Sequence, residues 1–337
     1  TGRFATDPSD AAGTLLLDVR RRAWSPALLD RLALDPDWLP PIRPAASVAG
    51  ELTHAAAQVL GLRPGIPVIT GAADTPCSAL GAGVLTPDTL LLTLSTGGQL
   101  LLPAQTVAVD RRGRIHTFCS ALEPTPQQAG WYQMGALLAA GLALRWLRDQ
   151  VLGLDGPDAY TRMTAWAADV PPGSEGLLFL PYLVGERTPH MDPQACGAFL
   201  GLTLQHGRAA LVRAVLEGVG LAAYDAYAVL AELGAAPSRI VLAGGGAASP
   251  LWRQIIADIF GAPVHPLARQ EQSALGAALL AGAGLGLFDL VAQAQAWAVY
   301  APVVGADPAR HAFYQTRLPL FRAAYRNNRD LFRGLGD

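Results

Sequence analysis

The stretch Ile240–Phe260, IVLAGGGAASPLWRQIIADIF, constrains the fold more than any other part of the chain. An apolar run ends in three glycines, Gly244–Gly246, and Ser249-Pro250 then opens an apolar helix with good capping residues. In α/β proteins a strand, a glycine loop and a helix N-terminus often hold a nucleotide phosphate through main-chain N–H groups. A tight turn that needs glycine only for steric reasons is the alternative. The spacing is not GxGxxG and lacks its acidic ribose ligand, so no NAD site is predicted.

Strand and helix patterns alternate through the rest of the chain. Apolar runs at Thr89–Leu94 and Gln99–Leu102 flank a turn and predict a hairpin. Apolar residues at helical spacing predict a long helix over Arg208–Leu233 and a final amphipathic helix over Ala309–Phe332. Trp131–Asp149 shows similar spacing and is also predicted as a helix. This alternation predicts an α/β fold, and the length suits about two domains.

The composition excludes several kinds of chemistry. All 25 basic residues are Arg, which rules out a Walker A phosphate loop and Schiff-base catalysis because both need a Lys. The formal net charge of -2 argues against a broad nucleic-acid or anionic-membrane surface. Cys77, Cys119 and Cys196 lack zinc-ligand spacing, so neither a structural zinc site nor a disulfide framework is predicted. The predicted location is a reducing compartment, the cytoplasm.

The hairpin turn is a second candidate phosphate site. It reads Ser95-Thr96-Gly97-Gly98, and successive turn N–H groups beside two hydroxyls can form a concave anion site. Hairpin turns use the same residue types for conformational reasons alone. The turn therefore predicts a phosphate site only as a partner of the glycine loop.

Asp74 is a carboxylate in an apolar setting, VITGAADTPCSALGAG. It follows a predicted strand and precedes Thr75-Pro76, where a helix begins. It would be ordinary there as a helix N-cap. It would also suit a general base that accepts a proton from a substrate hydroxyl during phosphoryl transfer. Spacing alone leaves both interpretations open.

A polar segment, residues 181–202, interrupts the apolar second half. It contains four charged or titratable side chains, Glu186, Arg187, His190 and Asp192. An ion-pair network that joins two elements is favoured over a catalytic cluster. Arg213 and Glu217 are four residues apart on a predicted helix and are interpreted as a surface pair.

Several motifs together resemble the FGGY carbohydrate kinases, and most closely their D-xylulose kinase branch. They occur in the family's order and are TDPSDAAGTLLLDVRRRAWSPALL, VITGAADTPCSALGAG, LPYLVGERTPHMDPQACGAFLGLTLQHGRAALVRAVLEGV, VLAGGGAASPLWRQIIADIFGAPV and ALGAALLAG. The resemblance implies an actin/hexokinase-like (ribonuclease H-like) ATPase fold with two α/β domains. Residues 1–86 would be the C-terminal part of the sugar-binding domain, and 87–337 the nucleotide-binding domain.

The resemblance also implies roles for individual residues. Asp74 matches the family's catalytic base, and Thr75 matches a substrate contact. The residues that match the nucleotide-binding segments are Ser95, Thr96, Gly97, Gly98, Gly244, Gly245, Gly246 and Ala247. Trp252 and Gln254 on the following helix are weaker candidates. The implied reaction uses ATP with Mg²⁺ and a sugar substrate, without a metal site built from this chain's own residues, and the family suggests a homodimer.

Five positions depart from the family pattern. Thr75 stands where the xylulose branch has Asn, which bears on the choice of sugar. The phosphate turn reads Ser-Thr-Gly-Gly instead of Gly-Thr-Ser-Gly. Cys196 and Ala248 replace a common Arg and Lys. The family also has a further N-terminal portion with an Asp-x-Gly-Thr phosphate and Mg²⁺ loop, which these residues do not contain, so little or no turnover is expected from them alone.

These observations predict an ATP-dependent sugar kinase, with D-xylulose converted to D-xylulose 5-phosphate. Kinases for another ketose or polyol fit the same residues. Two further alternatives are a non-catalytic nucleotide-binding remnant and an ATPase of the same fold without a sugar acceptor.

Overall fold

A computed structural model describes residues 1–269 and 271–335. The strands are β1 (Leu17–Asp18), β2 (Ala23–Trp24), β3 (Val48–Glu51), β4 (Pro67–Ile69), β5 (Thr89–Leu94), β6 (Gly98–Ala104), β7 (His116–Cys119), β8 (Trp131–Leu137), β9 (Leu178–Leu180), β10 (Ala198–Leu200), β11 (Arg239–Ala243) and β12 (Val264–Pro266). The helices are α1 (Pro8–Ala12), α2 (Pro26–Leu32), α3 (His54–Leu60), α4 (Asp74–Gly81), α5 (Gly141–Trp146), α6 (Ala159–Ala168), α7 (Arg208–Glu232), α8 (Pro250–Phe260), α9 (Gln272–Gly284), α10 (Leu290–Trp297) and α11 (Pro308–Leu335).

A six-stranded mixed sheet organises the larger part of the molecule. Its strand order is β12-β11-β5-β6-β8-β7. β11 pairs in parallel with both β12 and β5, and the pairs from β5 to β7 are antiparallel. Helices and loops cover both faces of β5 and β11, which explains why these two strands are almost continuously apolar and buried. The α/β class predicted from the alternating pattern is confirmed.

Helix α7 lies at the centre of the largest hydrophobic core. It packs against β8, β9, α6 and α8 and buries residues on every side. By length and composition α7 could cross a membrane, but 78% of its most apolar window is buried inside the protein. Helix α7 is therefore interpreted as the core helix of this fold.

Several elements lie where the sequence predicts them. The hairpin is β5 and β6, the strand before the glycines is β11, and the final amphipathic helix is α11. Helix α8 begins at Pro250 with the Ser249 side chain accepting a hydrogen bond from the Trp252 N–H, as the capping residues predict. These elements share strong local signals at their ends.

The prediction of one helix over Trp131–Asp149 is wrong. Residues 131–137 form β8, and the helix α5 begins only at Gly141. The strand pairs with β6 on one side and β7 on the other. Pairing with β6 and β7 determines the structure of this segment. An apolar run directly before a helix has a local pattern similar to that of the helix, so the sequence alone does not separate the two.

Residues 1–86 form small pieces of structure around that sheet. The pairs β1–β2 and β3–β4 are separate two-stranded sheets. Helix α4 packs closely on α9, where a Cβ at Gly81 would lie 2.0 Å from the Gln272 carbonyl oxygen and one at Gly276 2.0 Å from the Cys77 carbonyl oxygen. The two glycines therefore let the helix backbones approach closely, which joins α4 to the second half of the chain.

Candidate active site

A cavity of about 500 Å³ opens where the β5–β6 turn meets the glycine loop. Helices α5 and α6 form its other wall. Residues that line it are Leu94, Ser95, Thr96, Gly141, Leu142, Leu144, Arg145, Tyr160, Thr161, Thr164, Gly245, Gly246, Ala248, Ser249, Pro250 and Trp252. The volume and mostly apolar lining suit a nucleotide-sized ligand.

The glycine loop lies directly against the end of β5. Gly244 has φ 81°, and a Cβ there would lie 2.5 Å from the Leu94 carbonyl oxygen. A Cβ at Gly246 would lie 2.7 Å from the Leu94 Cβ, whereas one at Gly245 would meet nothing within 4 Å. Steric crowding therefore explains why positions 244 and 246 are glycine. Gly245 is left open toward the cavity, as a ligand-binding loop requires.

Main-chain N–H groups from both segments are available at the cavity. Within residues 1–269 and 271–335, no protein group accepts a hydrogen bond from the N–H of Thr96, Gly97, Gly245 or Gly246. The carbonyl oxygens of Ser95 and Thr96 accept hydrogen bonds from the N–H groups at the start of α5. The carbonyl oxygens are thus occupied while the N–H groups of Thr96 and Gly97 stay open, an arrangement that suits an anion.

Helix α8 adds its N-terminus to the same wall. Ser249, Pro250 and Trp252 line the cavity, and the Trp252 indole donates to the Leu216 carbonyl oxygen at 3.1 Å. The positive end of the helix dipole therefore lies beside the open N–H groups. Gln254 turns away and donates to Asp258 and to the Gly305 carbonyl oxygen. The lining does not include the other candidates from the sequence, Gly97, Gly98, Gly244 and Ala247.

Asp74 is the first residue of α4 and is exposed. The N-cap is Ala73, and no side chain caps the helix, so the structure does not give Asp74 a capping role. Its carboxylate accepts a hydrogen bond of 3.2 Å from the Thr75 hydroxyl. The Gln99 amide donates to that hydroxyl at 3.3 Å. Asp74 and Thr75 lie outside the cavity but are joined to β6 just after the phosphate turn.

The sheet register relates Gln99, the partner of Thr75, to the glycine loop. Gln99 pairs with Thr93, and Thr93 pairs with Ala243, the residue before the glycines. Two strand spacings of about 4.8 Å put the main chain of Gln99 about 10 Å from the start of the loop. Asp74 is joined to this part of the sheet through Thr75 and Gln99.

Glu186 has an unusual environment beside the phosphate turn. Its Oε1 accepts from the Leu138 and Arg187 N–H groups at 3.0 and 2.7 Å, while Oε2 is buried and has no hydrogen-bond partner among the described residues. Burial raises the pKa of Glu186 to about 7, against the lowering effect of the two N–H donors. Glu186 thus accepts from the N–H that follows the last residue of β8, and it forms no ion pair with any of the described residues.

His190 and Asp192 join two elements, as favoured from the sequence, but mainly through hydrogen bonds and an aromatic stack and not through the expected ion-pair network. The His190 ring stacks on Tyr325, and Asp192 accepts a 2.7 Å hydrogen bond from the Tyr325 hydroxyl. Burial lowers the pKa of His190 to about 4, so the contact of 4.0 Å with Asp225 is not an ion pair near neutral pH. These contacts fasten the polar segment to α11 and α7.

The interpretation of Arg213 and Glu217 as a surface pair is wrong. Both are buried, and their side chains form a 2.6 Å ion pair inside α7. The Glu217 carboxylate also accepts from the Gly173 N–H, the Ser174 hydroxyl and the Tyr314 hydroxyl. Helix spacing cannot distinguish an exposed face from one that α11 covers, so the sequence pattern missed this cluster.

Sequence reasoning also missed one wall of the cavity and the link to Asp74. Tyr160, Thr161 and Thr164 line the wall from α6, and Arg145 lines it from α5. The spacing of polar residues along α6 was the available signal. Gln99 carries no signal of its own, because its partner Thr75 is distant in sequence.

The sequence profile of the FGGY family of carbohydrate kinases, C-terminal domain, matches residues 92–285. The profile of its N-terminal domain matches residues 1–81. The xylulose kinase of Escherichia coli (strain K12) is 38% identical over 96% of this chain and 65% of its own length. The chain thus spans about two thirds of the length of that relative.

Solved structures agree with the sequence matches. The crystal structure of a xylulose kinase from Lactobacillus acidophilus superposes with a TM-score of 0.91 and 28% identity, covering 99% of this chain and 66% of that one. The gluconate kinase from Lactobacillus acidophilus gives 0.88 and 30%, covering 97% and 65%. The fold is the actin/hexokinase-like ATPase fold. This chain belongs to the FGGY family of carbohydrate kinases.

Proposed function

We propose that this chain is the catalytic part of an ATP-dependent sugar kinase that converts D-xylulose to D-xylulose 5-phosphate. The observation that carries the proposal is the arrangement of the cavity. Open N–H groups from the turn Ser95–Gly98 and the loop Gly244–Ala247 lie together, and Asp74 is joined to the same sheet through Thr75 and Gln99. This arrangement supports phosphate binding beside a general base.

The chemistry follows from these positions. The substrate hydroxyl oxygen attacks the γ-phosphorus of ATP while the bond from that phosphorus to the β–γ bridging oxygen breaks, and ADP leaves. The hydroxyl proton passes to the Asp74 carboxylate. Main-chain N–H groups of the turn and loop hold the phosphate oxygens, where negative charge accumulates during transfer. The base and the phosphate donors come from different parts of the chain, so their relative position controls the rate.

Mg²⁺ is proposed as the ion that accompanies ATP as part of the substrate. The residues that the structure describes contain no group of three or more His, Cys, Asp or Glu side chains placed to hold a metal ion. Mg²⁺ that enters with ATP commonly takes several of its ligands from phosphate oxygens.

Gluconate or another polyol is the second candidate acceptor. Relatives of this chain include a gluconokinase from Bacillus licheniformis. Thr75 makes this alternative specific, because it stands beside the proposed base and is bonded to both Asp74 and Gln99. We also propose that the protein acts in the cytoplasm as a homodimer, by analogy with the family.

Asp74→Asn tests the proposed function in the protein as its gene encodes it. The variant should lose about a thousandfold in kcat, because the amide cannot accept the proton. ADP affinity should stay at the wild-type value. The matched control is Asp10→Asn, since Asp10 is also an exposed Asp in the first turn of a short helix. Unchanged turnover in Asp74→Asn would remove the proposed base.

A panel of acceptors identifies the substrate. ADP formation should depend on added sugar and should be fastest with D-xylulose. ADP formation that ignores every acceptor would favour an ATPase. Nucleotide binding without any turnover would favour a non-catalytic remnant.

A further inference from the structure

We infer that Ser9, held by Asp7, is a positioning residue for Asp74. Both residues lie far from Asp74 in sequence and outside the nucleotide cavity, and the proposed mechanism does not use them. The inference rests on the proposed function, since it concerns where the proposed base is placed.

A short chain of hydrogen bonds connects these residues. The Ser9 hydroxyl donates to Asp7 Oδ2 at 2.5 Å and accepts from the Ala73 N–H at 3.0 Å. The Asp7 carboxylate also accepts from the Ser9 and Asp10 N–H groups at 2.7 and 3.1 Å. Asp7 and Ser9 are each only 3% exposed. A buried hydroxyl with both a donor and an acceptor role filled has one orientation available to it.

Helix α1 gives this chain of bonds a firm base. Asp7 is its N-cap, and Ala11 and Ala12 pack with Leu17 and Cys119 in a small buried cluster. Burial raises the pKa of Asp7, and the bonds from Ser9 oppose that rise, so Ser9 stabilises the ionised carboxylate that holds it. The anchor is thus attached to β7 of the central sheet.

The other end of the chain of bonds is the residue before the base. Ala73 is the N-cap of α4, and its methyl side chain cannot form a capping hydrogen bond that would fix the geometry. The segment from Thr70 to Ala73 is held at its start by main-chain bonds to Ser47 and Ala45, and at its end by Ser9. Removing the Ser9 hydroxyl would free the peptide next to Asp74 while leaving α4 packed on α9.

Ser9→Ala tests the inference in the protein as its gene encodes it. We expect kcat to fall about tenfold, because small displacements of a reacting group are costly. KM for ATP and ADP affinity should stay within about twofold of wild type, since the cavity is not touched. Ser9→Thr keeps the hydroxyl and should recover most of the loss. Wild-type kcat in Ser9→Ala would overturn the inference.

Two further variants separate positioning from general loosening. Ser47→Ala removes a hydroxyl that contacts Thr70, at the start of the same segment, and should change kcat by less than about twofold. In an Asp74→Asn background, Ser9→Ala should cause no additional loss, because it acts through the missing base. An equal loss in both backgrounds, or in Ser47→Ala, would overturn the role of Ser9 and leave the proposed function standing. Full activity of Asp74→Asn alone would instead refute the proposed function.

Discussion

Residues 1–86 and residues 87–335 are built differently. The larger region surrounds α7 with a broad buried core and holds the nucleotide cavity within it. In the first region several large apolar side chains are exposed, among them Phe4 at 90%, Val59 at 86% and Trp38 at 72%. The cavity of the proposed nucleotide site is therefore formed inside one core, whereas Asp74 comes from a region with little core of its own.

The difference shows what places the proposed base. Residues 1–86 are joined to the rest by the close approach of α4 to α9 and by the packing of α1 on β7. At these contacts, the close packing of small residues fixes the position of residues 1–86, as a large core does in the rest of the molecule. Substitutions inside the larger region should therefore mainly lower stability, whereas substitutions at these contacts should mainly lower kcat.

The largest expected effect on stability comes from the buried ion pair in α7. Glu217→Ala should lower the free energy of unfolding by about 3–5 kcal/mol, because it leaves the Arg213 guanidinium buried without its carboxylate. Chemical denaturation measures this value. The control in residues 1–86 is Arg21→Ala, whose 3.7 Å pair with Asp18 is 78% exposed on the Arg side. It should cost less than about 0.5 kcal/mol. Equal losses would contradict the contrast between the regions.

The second prediction concerns two buried groups of the larger region whose effects on stability have opposite pH dependence. Glu186 has its pKa raised by burial from 4.5 to about 7, so its contribution is present below pH 4.5 and is lost as pH rises through 7. His190 has its pKa lowered by burial from 6.5 to about 4, so its contribution is present above pH 6.5 and is lost as pH falls through 4. Each shift corresponds to about 3 kcal/mol.

Single substitutions should separate the two opposite dependences of stability on pH. In wild type these dependences partly cancel between pH 4.5 and 6.5. Glu186→Gln should leave a stability that rises with pH in this range, and His190→Gln one that falls. Denaturation at several pH values measures both, with each variant serving as the control for the other. Identical pH dependence in wild type and both variants would refute the assignment.

The smallest expected effect tests the contact between the two regions. Gly276→Ala places a methyl group against the Cys77 carbonyl oxygen and should cost about 2 kcal/mol through overpacking. Because α4 must move, kcat should fall more than ADP affinity. Gly305→Ala is the control, since a Cβ there meets nothing within 4 Å. A variant that loses ADP binding and keeps kcat would show that α4 is not positioned in this way.

Much of the fold around the nucleotide site is predictable because its signals are local. The sequence runs directly from β11 through the three glycines to the capped start of α8. The residue types of the hairpin turn likewise indicate a turn. The strand Trp131–Leu137 is not evident from the sequence, because it is joined to β7 by a long loop without a tight-turn signal and to β6 only across β7. The candidates Ser95, Thr96, Gly245 and Gly246 line the cavity, as does the wall on α6, which the sequence pattern does not indicate.

Residue types near one another along the chain account for the helix caps, the glycine loop and the turn. These features follow from sterics and hydrogen bonding over a few residues. Packing between distant segments decided that Gln99 reaches Thr75, that Ser9 holds Ala73 and that Glu217 is buried. Such contacts depend on strand register and on helix approach, which local preferences do not specify.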